Sequence, residues 1–118
     1  MRISNEEYFR TCVAKERQLA HLLGYAQIEE CYESAGTLWH GTQALPQWTR
    51  HWAACGPLLV QHRIAVAYGS DAHGAFVQAG AHAQHLADHP SPDRAVMFAV
   101  VKEVIHQLEH PKASTPVA

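Results

Sequence analysis

The chain has 118 residues, 47% hydrophobic and 17% charged, a balance that excludes a disordered polypeptide and fits one domain with a modest core. Nine Lys and Arg against eleven Asp and Glu give a formal charge of -2 with histidine neutral, and no basic cluster stands out, so nucleic acid is disfavoured as a direct partner. Ten histidines make that balance sensitive to mild acidification.

Ser4-Asn5-Glu6-Glu7 has the form of a capping box and predicts a helix running to Gly24, with Phe9, Cys12, Val13, Leu19, Ala20 and Leu23 on its apolar stripe. Arg10, Lys15, Glu16 and Arg17 fall largely outside that stripe, where solvent would meet them. Ile28, Cys31, Tyr32 and Ala35 allow a short second helix, and Gly36, Gly41 and Pro46 mark residues 36 to 47 as a loop. Trp48 and Trp52, four apart, would share one buried face, and Gly56-Pro57 would start a short helix from Leu58 to Arg63. Ile64 to Tyr68 and Ala75 to Ala79 are strand-like, with Gly69, Ser70, Asp71 and Gly74 between them, which predicts a hairpin. Ser91-Pro92-Asp93 is the clearest helix start in the chain, and the helix it opens should reach about His110. Met97, Val101, Val104 and Leu108 give it a buried face, Pro111 stops it, and residues 112–118 read as a frayed tail. The expected fold is α+β: two amphipathic helices, N- and C-terminal, packed on a β-hairpin, with a short helix after Gly56-Pro57.

Several stretches have the residue types of a reactive or metal-binding site. His82, His85 and His89, at intervals of three and four, would share one face if helical and could then hold zinc, nickel or copper. His106 and His110 in HQLEH form a second candidate pair, with Glu109 in the position of a base; yet a zinc protease needs a third ligand and a cleft. Cys55 precedes a helix start in WAACGP, but Leu58 stands where a redox motif has its second thiol. Cys12, Cys31 and Cys55, odd in number and widely spaced, read as reduced thiols. Asp71 with His73 is the nearest approach to an acid–base pair, and Glu29, Glu30 and Glu33 form an acidic edge that reads as solvated.

LPQWTRHWAACGPLLVQHRIAV, followed by FVQAG and PDRAVMFAVVKEVIHQL, resembles the NinX-like family of small phage and prophage proteins over roughly residues 45 to 108. Trp52, Gly56, Pro57, Leu58, Leu59 and Ile64 carry the central part of the pattern, Phe76 and Ala79 the next, and Pro92 to Leu108 the last. Cys55 stands where the family has the first glycine of a pair, and the arginine of the closing helix has no clear counterpart, Lys102 being the nearest basic residue. The resemblance implies a phage or prophage origin and a bacterial cytoplasm, and no particular activity.

The expectation is therefore a non-enzymatic accessory protein of phage or prophage type that acts by contact with another protein, without a cofactor. The alternative is a histidine-ligated protein for zinc or another divalent transition metal, using His82, His85 and His89 or else His106 and His110. A weaker alternative is a small hydrolase or redox enzyme centred on Cys55 or His73. The charged segment MRISNEEYFR does not read as a secretory signal and no apolar run approaches the ~18 residues of a membrane span, so the cytoplasm is expected and no membrane partner. A homodimer through the Met97 to Leu108 face is a further expectation.

Overall fold

A computed structural model describes residues 3–30 and 35–111, and it places the N-terminal helix, α1, at Asn5–Leu22. The Ser4 hydroxyl accepts the Glu7 N–H at 3.1 Å, as a capping box requires. The return bond differs from expectation, because the Ser4 hydroxyl also donates to the Glu7 carboxylate at 3.1 Å. At the other end the Gly24 N–H reaches His21 O and the Tyr25 N–H reaches Ala20 O, with Gly24 at φ +100°, so a glycine-terminated Schellman cap closes the helix.

Residues 28 to 47 hold a small antiparallel sheet instead of the expected helix and loop. Its strands are β1 (Ile28–Glu30), β2 (Leu38–His40) and β3 (Gln43–Ala44), with β2 in the middle. Ile28 and Leu38 point into the core, which explains why apolar residues recur there without helical spacing. Of the residues expected in the second helix, Cys31 and Tyr32 lie outside the described residues, as do Glu33 of the acidic edge and the tail at residues 112–118.

Helix α2 spans Trp52–Gln61, beginning six residues before the expected start at Leu58. Pro57 falls inside it at an exposed position, and having no N–H it forgoes the helical bond to the Ala53 carbonyl. Trp48 belongs to the turn before the helix, so the four-residue spacing does not put the two indoles on one face. Trp48 is buried at 5% exposure and Trp52 is 43% exposed, which corrects the expectation that both are core.

The hairpin is present and longer than expected, with β4 (Val66–Asp71) and β5 (Gly74–Ala79) joined through Ala72-His73, and β6 (His82–His85) adds a third antiparallel strand. A 3₁₀ turn at Leu86–Asp88 leads to α3 (Pro92–Glu109), whose start is capped as expected by Ser91 accepting the Arg94 N–H at 3.2 Å. Every residue from Ala95 to Val101 is buried, so α3 is a central helix enclosed on nearly all sides by α1, α2 and the second sheet. Met97, Val101 and Val104 are spent on this core, and the face expected to receive a second copy is not available to one. The chain is thus α+β, with the second sheet and the two other helices arranged around α3.

Candidate functional site

The three histidines of HAQHLADH do not lie on a helix. His82 and His85 sit on β6, and residues three apart on a strand leave from opposite faces. His82 turns toward α3, where its Nδ1–H donates to Glu103 Oε1 at 2.9 Å. His85 turns the other way and its Nε2–H donates to Asp71 at 2.9 Å. His89, past the 3₁₀ turn, is buried with its Nε2–H on Gln84 Oε1 at 3.0 Å and its Nδ1 accepting from the Tyr8 hydroxyl. The proposed triad is thereby divided among three neighbourhoods.

His106 and His110 do come together, ring centroids 4.8 Å apart at the end of α3, and the His82 centroid is 5.2 Å from that of His106. Glu109 of the same motif does not join them, since its carboxylate accepts from Gln18 of α1 at 2.8 Å. As the side chains stand, no three His, Cys, Asp or Glu among the described residues are grouped closely enough to hold a metal ion.

The anchor of this region is Glu103, which no sequence motif points to. Its carboxylate is in a residue only 7% exposed and accepts from the Ala81 backbone N–H at 3.1 Å, from His82, and from Gln107 Nε2 at 3.0 Å. Burial pushes this carboxyl up, but the hydrogen bonds from Gln107, His82 and Ala81 outweigh it and hold the group below the ordinary carboxylate range. Gly80 makes the approach possible. It sits at φ +57°, and a Cβ there would lie 2.4 Å from Glu103 Cδ. A readable signal did exist: a glutamate on the core-facing side of a helix needs partners. Beside Glu103 opens a cleft of about 640 Å³, lined also by His62, Arg63, His106 and His110.

The other candidates are accounted for by structure. Cys55 is fully buried against α3, 3.9 Å from the Met97 carbonyl, and burial pushes its thiol up to about 12. Such a thiol is protonated at neutral pH and cannot act as a nucleophile there. Asp71 accepts the His73 backbone N–H at 2.8 Å, forming the hairpin turn, and is held low first by the His85 bond and then by that N–H. Glu30, expected to be solvated, instead accepts from Arg10 at 2.7 Å and from the Gly36 N–H at 2.6 Å.

A second surface feature lies on α2. From Trp52 to Gln61 the helix has no ionisable group except the buried thiol of Cys55, and its outer side presents Trp52, Ala53, Pro57 and Val60, the last 74% exposed. Ala53 and Ala54 also border a shallow groove of about 390 Å³ with Leu45 and Pro46 on its far wall. Surfaces of this kind, apolar and uncharged, are where proteins receive other proteins. No helix among the described residues is long and apolar enough to cross a membrane. Comparison with protein-family models, with curated proteins and with solved structures returns no match.

Proposed function

We propose that this chain is a non-enzymatic interaction module of phage or prophage type that works in the cytoplasm by binding another protein, and that the outer face of α2 is its contact surface. The observation that carries this reading is Trp52. The NinX-like pattern has a tryptophan at this place, yet the fold leaves the indole 43% exposed and does not need it for the core. An exposed indole on a charge-free helix costs solubility and contributes little to folding, whereas buried in a partner it is the residue type that most often dominates binding. The partner implied is a protein with an aliphatic or aromatic segment able to cover Trp52 and Val60 and to enter the groove beside Ala53.

The test is a photo-crosslinking residue placed at position 52 or 60, with position 70 of β4 as an exposed control. Expressed in a bacterial host carrying the intact phage, the first two should each give the same discrete adduct and the third none. Adducts of equal yield from all three positions, or from position 70 alone, would contradict the reading.

A further inference from the structure

Beyond the α2 contact surface, the region around Glu103 has the parts of a metal site that no single sequence motif assembles. We infer that His82, His106 and His110 bind a divalent transition ion of the zinc, nickel and copper class, with Glu103 fixing the ring of His82 from behind.

His82 is the fixed member of the three. Its Nδ1–H is committed to Glu103 Oε1 at 2.9 Å, so the neutral ring keeps its lone pair on Nε2. A carboxylate on the far nitrogen is the arrangement that orients metal-binding imidazoles and raises their basicity. The carboxylate is itself fixed by Ala81 and Gln107, and Gly80 leaves the space it occupies. Next to this fixed ring stands His106 at 5.2 Å between centroids, and one helical turn on stands His110 at 4.8 Å from His106. The His106 and His110 rings are near enough to reach one ion, and the His82 ring beside His106 adds a third of the nitrogen donors that zinc, nickel and copper favour.

The three rings do not converge as they stand. His106 and His110 are exposed and so free to change rotamer on meeting an ion, while His82 is held by Glu103. The local field is mixed. Arg63 lines the cleft, and Lys15 and Lys102 line an adjoining recess beside His82, so three cations oppose an incoming ion. Glu103, Glu109 and the negative end of α3 favour it. Among the described residues the thiols of Cys12 and Cys55 do not compete, both being fully buried. The 640 Å³ cleft, which His106 and His110 line, would leave an open side there for water to complete the coordination, His82 lying on the adjoining recess.

The experiment uses the untagged chain, titrated separately with zinc, nickel and copper(II) chlorides and followed by thermal melting and calorimetry. At least one ion should raise the melting midpoint with one equivalent bound. His106→Ala/His110→Ala, both at exposed positions, should abolish the shift, while His85→Ala should keep it. Glu103→Gln should weaken the affinity ten- to hundredfold, as loss of an orienting carboxylate does. Because that variant can lose stability for its own reasons, His82→Gln provides a second reading, and copper(II) bound to the wild type should show nitrogen couplings in its EPR spectrum that diminish in His82→Gln. A midpoint unmoved by all three ions, or an equal shift in the His106→Ala/His110→Ala variant, overturns the inference. Neither result bears on the α2 contact surface.

Discussion

Arg50, in the turn that follows Trp48, closes over Glu16 in the middle of α1, a carboxylate 1% exposed. The guanidinium Nε donates to Glu16 Oε2 at 3.1 Å and Nη2 donates to Oε1, while the Thr49 hydroxyl donates to Oε2 at 2.6 Å. Arg50 also reaches the Gly36 carbonyl at 2.6 Å and lies 5.5 Å from the centre of the Phe9 ring. The first helix, the first sheet and the turn before α2 are thus tied through one buried ion pair.

Breaking that pair from one side leaves a charge in the core without its counter-ion. Arg50→Ala should destabilise the chain by about 3–5 kcal/mol, a large share of the stability of a domain this size. Adding Glu16→Met to it should restore part of the loss, because the stranded carboxylate goes with it. Urea unfolding of the two variants checks this, and a double variant no more stable than Arg50→Ala would contradict it.

Gly80 and Gly41 have nearly the same left-handed backbone, φ +57° and +62°, but a Cβ at Gly41 meets nothing within 4 Å while one at Gly80 strikes the Glu103 carboxylate. Gly41→Ala should therefore cost only the backbone penalty of about 1–2 kcal/mol. Gly80→Ala should cost about 1–3 kcal/mol more, because the carboxylate must leave the Ala81 N–H or His82. Equal melting points for the two variants would show that Glu103 moves aside freely.

Glu103 and Asp71 are both held below their ordinary values in the fold, Glu103 despite its burial and Asp71 chiefly by His85. A carboxylate whose folded pKa is depressed contributes stability that is present above the unfolded pKa and is lost as pH falls through the folded one. Stability should accordingly drop on acidification below the ordinary values of 4.5 and 3.8. In Glu103→Gln the slope of unfolding free energy against pH should be shallower between about pH 5 and pH 2. An unchanged slope would mean that Glu103 titrates alike in the folded and unfolded chain.

The thiol of Cys55, pushed up to about 12 by burial, should not react with alkylating reagents in the native protein at neutral pH. Mass-spectrometric mapping should find Cys12 and Cys55 modified only after denaturation, both being fully buried. Native labelling of Cys55 would revive a chemical role for WAACGP.

Much of this architecture was legible where a local signal and the tertiary outcome agree. Ser91-Pro92 fixes a helix start by chemistry internal to four residues, and the hairpin has both alternation and turn residues. The first sheet was not legible, because strands of two and three residues are too short to display a period of two. Trp48 and Trp52 misled because the spacing rule holds only inside a helix, and α2 begins at the second of them. Glu16 was hidden in the run Lys15-Glu16-Arg17, where its neighbours are less buried and its partners Thr49 and Arg50, 33 and 34 residues on, explain its own burial. The cluster around Glu103 joins a strand to a helix across 21 residues, a relation no short motif expresses.

The claim on which the functional account rests is that the outer face of α2 receives a partner. Its most direct measurement compares the proteins retained from a phage-carrying host by the wild-type chain and by Trp52→Glu/Val60→Glu, both shown to be folded by circular dichroism. The account predicts a protein retained in near-stoichiometric amount by the wild type and lost from the variant. Equal retention of the same protein by both, or retention of none by either, would contradict it.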